Sequence, residues 1–404
     1  MGSQTLSLTE QIEDALQLIT SEFLRQCTYG AQTKALSASE FAACGQFLGQ
    51  DAEAIEQHGL HGIAAALRVL GPCPSEECRS TVHRIASYCE ANFGIHPNLA
   101  KRSHLDERED SENVIKLGEL LYGLSFVSTA QADSDRLVKH VSTRLIQSLV
   151  GGNGWGYFVG DAEPQLLPTA YAVRGLAANG YDVAAPLKFL LDRLTCKDDP
   201  AETEAADLTT RVACTYCLTF SRIPTSETTS LRKKFLSAWR SLEPLLDEDI
   251  EQNLEYWRGK RTLYVRIPWQ LYLLALASEY SLWRFGGFRA QNRLRSVIEA
   301  LRNGTFKYPY SGKYLSSRTH SIAYDALNVV SARIHHSSWL FFVYLTDRVR
   351  VFVGSRFVRS IATVLSLVII GWSIVAWART GKVSDLAPEL LASFTALMLA
   401  WARR

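Results

Sequence analysis

A chain of 404 residues, 47% hydrophobic and 21% charged, holds enough apolar material for a sizeable core, which excludes disorder as its main state. Its formal net charge of +2 conceals a split: residues 1–255 carry 22 Lys/Arg against 35 Asp/Glu, residues 256–318 carry 12 against 2, and residues 345–404 carry 8 against 3. The split predicts one localised anion-attracting surface and a second, separate basic flank.

From the N-terminus, the first 30 residues contain Glu10, Glu13, Asp14 and Glu22 and lack the basic-then-apolar plan of a secretory leader. Leu6 stands where a myristoylation signal needs Ser or Thr, so no lipid is expected there. Residues 1–100 read as a helical lead-in that contains the first of a series of repeats, and 101–113, a charged stretch without glycine, reads as a solvated loop. Cys27, Cys44, Cys73, Cys78, Cys89, Cys196, Cys214 and Cys217 are scattered through apolar helical patterns and fit buried thiols in a reducing compartment.

Strand signals are scarce, and apolar residues recur at three- and four-residue spacing. Small-residue helical runs begin at Gly62, Leu117, Thr169, Arg211, Leu271 and Ile322, about 40 to 60 residues apart, a spacing that holds one helix pair per unit. Small residues on one helix of each pair would let it pack closely into an inner layer. Periodicity alone gives an array of helix pairs, and an open solenoid satisfies it as well as a closed ring.

Two units share a more specific feature. Gly154-Trp155-Gly156-Tyr157-Phe158 precedes the helix of Ala170-Tyr171, and Gly304-Thr305-Phe306-Lys307-Tyr308 precedes that of Ala323-Tyr324. The first passage, GGNGWGYFVGDAEPQLLPTAYAVRGLAANGYDV, resembles the repeats of the squalene/oxidosqualene cyclase and protein prenyltransferase superfamily. The likeness covers about 35 residues there, is fair at 304–330, and is architectural elsewhere. It implies an α/α toroid, with paired helices in two rings around a central cavity.

The chemistry of that superfamily finds little footing. Asp247-Glu248-Asp249-Ile250 lacks the final Asp of a cyclase Asp-x-Asp-Asp motif and reads better as a charge cluster at a helix start. Asp198-Asp199-Pro200-Ala201-Glu202 is the one Asp-rich candidate for magnesium and diphosphate, and its proline suggests a surface helix start. No Asp-x-Cys zinc pattern occurs, and Cys214 and Cys217 lack a partner pair with ligand spacing. No catalytic residue, metal or cofactor is assigned, and the chain is expected not to be an enzyme.

The basic segment 256–318 is the strongest chemical signal. Nine of its 12 cations are Arg, suited to bidentate phosphate contacts, and they are interleaved with 13 aromatics. Charge that tracks a phosphate backbone and rings that stack on bases are how single-stranded nucleic acid and nucleotides are held. The candidate ligand-binding residues are therefore Trp257, Arg258, Arg261, Tyr264, Arg266, Tyr308, Tyr310, Lys313, Tyr314, Arg318 and His320, joined by Trp155 and Tyr157 at the mouth of the other Gly-aromatic repeat. Two other readings fit the same composition: arginines facing the acidic half of the chain, or contact with anionic lipid headgroups. For Trp155 and Tyr157 the alternative is a purely structural staple.

Residues 360–378 (SIATVLSLVIIGWSIVAWA) are 19 without a charge, long enough to cross a hydrocarbon core of about 30 Å. Arg356 and Arg359 precede them, and Trp372 and Trp377 lie toward the far end as interface anchors do. A second apolar run, 386–402, contains Pro388 and Glu389 and ends at Arg403 and Arg404. With arginines at both outer ends, the pair reads as a hairpin with cytoplasmic ends, the alternative being a buried hairpin of a soluble domain.

The expected fold is all-α: a soluble, ligand-sensing α/α toroid-like domain of helix-pair repeats over 1–335, a juxtamembrane connector over 336–359 and a two-helix transmembrane hairpin over 360–404. A sensor followed by two short spans resembles the layout of bacterial membrane effectors of antiphage defence. That layout implies an inner-membrane protein with its sensor in the cytoplasm. It also implies a nucleotide or oligonucleotide ligand made by a partner nucleotidyltransferase. Two spans cannot enclose a pore, so an ion channel would need a homo-oligomer, four chains being one solution. The competing expectation is a membrane-bound terpene cyclase or prenyltransferase-like enzyme acting on an isoprenoid diphosphate.

Overall fold

The computed structural model describes residues 8–33, 60–92, 112–127, 132–195, 208–221, 225–242, 269–280 and 317–336, with isolated positions at 223, 294, 295, 298, 299, 302 and 375. Chain contacts divide it into two units, 12–337 and a second made of 1–11 with 338–404. Of the second, only 8–11 and Val375 are described.

The described residues form helices and no strand, so the chain is all-α over them. The helices are α1 (Leu8–Thr33), α2 (Leu60–Leu70), α3 (Glu76–Asn92), α4 (Val114–Leu124), α5 (Ala132–Gln147) and α6 (Leu166–Ala178). They continue as α7 (Ala184–Thr195), α8 (Leu208–Thr219), α9 (Thr225–Leu242), α10 (Trp269–Glu279) and α11 (Ser317–His336). Two isolated bridges, Asn113 with Phe158 and Val150 with Gly154, are the remaining backbone pairings of extended type among the described residues.

The helices fall into two kinds. α2, α4, α6, α8 and α10 are short, apolar and buried around most of their circumference, as a helix enclosed on all sides must be. α3, α5, α7 and α9 alternate with them, carry the charged faces, and pack respectively on α2, α4, α6 and α8. Among the buried helices α2 packs on α4, α4 on α6, α6 on α8, α8 on α10 and α10 on α11, and α11 packs back on α2.

Glycine sets the closest of these approaches. A Cβ on Gly118 of α4 would stand 2.5 Å from the Tyr171 carbonyl oxygen of α6, and one on Gly175 of α6 would stand 2.5 Å from the Gly118 carbonyl oxygen. On the opposite side of α4, a Cβ on Gly123 would lie 2.9 Å from Leu67 Cβ of α2. The first two are approaches to backbone oxygens, and any larger residue at these positions would force the helices apart.

Residues 148–165 tie the ends of α4, α5 and α6 together. Gly151 and Gly152 take positive φ (55° and 76°), which turns the chain so that Val150 N–H donates to Gly154 O. The Trp155 indole N–H then donates to Leu145 O at 2.7 Å, and Thr169 Oγ1 accepts from Trp155 N–H at 2.9 Å. Val114 N–H donates to Tyr157 O, and Asn113 Oδ1 caps α4 by accepting from Lys116 N–H. Asn113 is therefore a buried capping residue and not part of a solvated loop.

Candidate functional site

The buried helices are apolar enough that each polar group on them stands out. Arg68 is the one charged residue of α2 and Arg174 that of α6, while α4 supplies Glu119 and Tyr122, α8 Tyr216, α10 Tyr272 and α11 Asp325. These side chains meet. Asp325 Oδ2 accepts from Arg68 Nη2 at 2.5 Å and from Arg174 Nη2 at 3.0 Å. Glu119 Oε1 lies 3.6 Å from Arg68 Nη1. The Arg174 guanidinium sits over the Tyr122 ring, 3.6 Å from its centroid, and 5.3 Å from the centroid of Tyr216. Tyr216 in turn lies against Tyr272, ring centroids 4.2 Å apart.

This is a deeply buried ion cluster. The Arg68 and Arg174 side chains are 1% and 2% exposed, and Asp325 is 10% exposed. Burial works against both guanidinium charges. The Asp325 carboxylate, with Glu119, more than offsets this for Arg68, and Tyr122 with Asp325 does so for Arg174, so both stay charged. Burial also pushes the Tyr216 and Tyr272 hydroxyls well above their usual range, so they are neutral hydrogen-bond donors.

Donors outnumber acceptors here. Arg68 Nε, Arg174 Nε and the hydroxyls of Tyr216 and Tyr272 are buried without a hydrogen-bond partner. A buried polar atom left unpaired costs about 1–3 kcal/mol, so four in one cluster is a large deficit. One carboxylate oxygen cannot serve them all. An oxyanion with several acceptor oxygens could take a guanidinium edge and a hydroxyl at once, which is the geometry by which Arg and Tyr hold phosphoryl groups.

Few of the residues singled out from the sequence are among the described ones. Trp257, Arg258, Arg261, Tyr264, Arg266, Tyr308, Tyr310, Lys313 and Tyr314 fall outside the described residues. Arg318 lies in the first turn of α11, which begins at Ser317, and His320 is buried on the same helix. Trp155 is buried with its indole N–H committed to Leu145, and Tyr157 is bonded through its backbone to the start of α4. Cys214 and Cys217 are buried free thiols, and no His/Cys/Asp/Glu group that could hold a metal occurs among the described residues. Asp198, Asp199, Asp247 and Asp249 fall outside the described residues.

The central cluster was within reach of the sequence. Its members sit inside the small-residue runs themselves: one Arg in Ala-Leu-Arg68-Val-Leu, one in Ala-Val-Arg174-Gly-Leu and one Asp in Ala-Tyr-Asp325-Ala. A lone charge at the same place in several of the buried helices is the signal. No family model matches the chain, and no curated protein matches it.

Proposed function

We propose that the helical unit is a ligand sensor, an α/α toroid whose inner ring is α2, α4, α6, α8, α10 and α11, and that the ligand's phosphoryl group binds at Arg68 and Arg174. The observation that carries this reading is the convergence of side chains from all six of those helices on one buried, donor-rich cluster. The cyclic order of helix packing supports the ring, and the alternation of buried with charged helices supports two layers. Asp325 is bonded by two guanidiniums, which suits a counter-ion and not an acid that protonates an alkene.

In this reading the sensor serves a membrane effector. Residues 360–378 and 386–402 form a hairpin, several copies assemble, and a nucleotide or oligonucleotide supplied by a partner nucleotidyltransferase controls a pore in the bacterial inner membrane, as in antiphage defence. Among the described residues no helix is long and apolar enough to cross a membrane, and both apolar runs, apart from Val375, lie outside them. The support for the hairpin is their length and flanking arginines.

The test is a dye-leakage assay on liposomes carrying the full-length protein, with ATP, a cyclic dinucleotide and a short oligoadenylate added in turn. Leakage triggered by one of them, and abolished by Arg174→Met, is the expected result. No leakage with any of them, together with turnover of a prenyl diphosphate, would replace the sensor by an isoprenoid enzyme.

A further inference from the structure

α2 and α3 are joined by Gly71-Pro72-Cys73-Pro74-Ser75, and the cysteine in this turn differs from its buried counterparts. Cys27, Cys89, Cys214 and Cys217 are buried in helix packing, whereas Cys73 is only half-buried and lies outside any helix. Its backbone N–H donates to Leu70 O, and the two prolines restrict the backbone on either side of it. No packing argument calls for a thiol there.

Hydrogen-bonding groups surround its sulfur. The Cys73 thiol donates to Ser75 Oγ at 3.5 Å, and the Ser75 backbone N–H and the Cys78 thiol also hydrogen-bond to the sulfur. Ser75 stands immediately before α3 and accepts from Cys78 N–H at 3.1 Å, the position of a helix N-cap. That bond draws Cys78, on the first turn of α3, toward Cys73. A sulfur at the start of a helix also feels the positive end of the helix dipole. Burial acts to raise the Cys73 thiol, but the hydrogen bonds from Cys78 and Ser75 outweigh it and hold the group below its usual range. Cys78 is pushed up to about 11, chiefly by burial and then by its bond to Cys73. The two cysteines are thus unlike: Cys73, half-buried, ionises more readily than an ordinary thiol, and Cys78, buried, less readily.

We propose that Cys73 and Cys78 form a peroxide-reactive dithiol, in which Cys73 is the attacking thiolate and Cys78 the resolving thiol. The Cys73 thiolate attacks one oxygen of a hydroperoxide, the O–O bond breaks, and hydroxide or alkoxide leaves, giving Cys73 sulfenic acid. The Cys78 sulfur then attacks the Cys73 sulfur, the S–O bond breaks, and water leaves with the proton of Cys78. Two thiols are oxidised to one disulfide, and the peroxide is reduced to water or to an alcohol and water. The disulfide closes within the turn that follows the last turn of α2, the helix that carries Arg68. A cytosolic disulfide of this kind is reversible by the cell's thiols.

The test uses the full-length, pre-reduced protein in detergent with hydrogen peroxide, followed by trypsin and mass spectrometry. Residues 69–79 form one tryptic peptide that holds both cysteines. The expected product is that peptide lighter by two hydrogens, formed faster than any adduct on Cys89. In Cys78→Ser, dimedone should trap a sulfenic acid on Cys73. In Cys73→Ser, the pre-formed disulfide is impossible and Cys78 should stay reduced. Ser75→Ala should slow the reaction about tenfold, since it removes one stabilising donor. Should that variant unfold, the two cysteine variants still decide. Dimedone labelling of Cys78 in place of Cys73, or a Cys73 oxidised no faster than free cysteine, would overturn the proposal. Because the readout is chemical, it stands or falls independently of any ligand or pore.

Discussion

Asp325 is the keystone of the central cluster, and its replacement by Asn measures what the cluster contributes. Asn has nearly the same shape, so the substitution removes charge and leaves packing intact. At an effective dielectric of about 20, a unit charge pair at 2.5–3.0 Å is worth roughly 6 kcal/mol before desolvation is counted. The net figure is smaller, because the carboxylate and the guanidiniums have already left water. What decides the outcome is what remains: Arg68 keeps Glu119 at 3.6 Å, Arg174 keeps the neutral Tyr122 and the Tyr216 ring but no carboxylate, and both are at most 2% exposed. Orphaning buried charge of this kind costs about 3–5 kcal/mol. At about 2.1 cal/mol/K of unfolding entropy per residue over 12–337, that lowers the melting temperature by roughly 4–7 °C. Denaturant unfolding of the full-length protein in detergent, followed by far-UV circular dichroism, reads the loss directly. Arg174→Met added to Asp325→Asn removes an unpaired charge, so the double variant should be more stable than Asp325→Asn alone, and the two single effects should depart from additivity by about 0.5–3 kcal/mol. Glu163→Gln, an exposed control, should stay within about 0.5 kcal/mol of the parent. An Asp325→Asn protein as stable as that control, or strictly additive effects of the two substitutions, would show that the cluster does not hold the helices together.

Other expectations follow from the same packing. Gly118→Ala places a methyl 2.5 Å from the Tyr171 carbonyl oxygen and must part α4 from α6; a loss of about 1–3 kcal/mol in the same unfolding assay is expected, and none would mean that the approach is not tight. Trp155→Phe removes the indole donor from the Leu145 carbonyl, which Ser148 still bonds, and should cost about 0.5–1.5 kcal/mol with little effect on ligand-induced leakage, which separates a staple from a binding residue. Burial raises the Cys89 thiol from its usual 9.0 to about 12, so above pH 9 the unfolded chain releases a proton that the native state still holds. Stability should therefore be intact below pH 9 and fall between pH 9 and 12, and in Cys89→Ala a series of melts should show a shallower fall. A slope unchanged by that substitution would remove Cys89 as a source of it.

Much of the helical plan could be read from the chain, and the reason is geometric. Small-residue runs at three- and four-residue spacing mark helices that pack closely on more than one side, and Gly118, Gly123 and Gly175 make those contacts. The Gly-aromatic turn before Ala170 points from sequence to a binding role for Trp155 and Tyr157, with a staple as the alternative, and the indole bond to Leu145 and the positive φ of Gly151 and Gly152 are what a staple would show. The central cluster was harder. Attention to clustered cations favours exposed, solvated charge, whereas Arg68, Arg174 and Asp325 are single charges from widely separated parts of the chain. Local sequence says only that each is an anomaly in an apolar helix, and their pairing depends on α11 packing against α2. Cys78 is the buried thiol that the apolar pattern predicts and Cys73 is half-buried, and spacing alone does not reveal that Ser75 turns the chain and brings the sulfurs together.

The central claim is that the buried Arg and Tyr donors are there for a ligand's phosphoryl oxygens. The most direct measurement is calorimetric titration of the full-length protein with inorganic tripolyphosphate, for the parent and for Tyr216→Phe/Tyr272→Phe. Those hydroxyls have no partner in the unliganded protein, so removing them should leave stability unchanged or raise it. The account predicts that the same change weakens tripolyphosphate binding by at least tenfold. Parent protein that does not bind tripolyphosphate, or a double variant that binds it as well as the parent, would contradict the account.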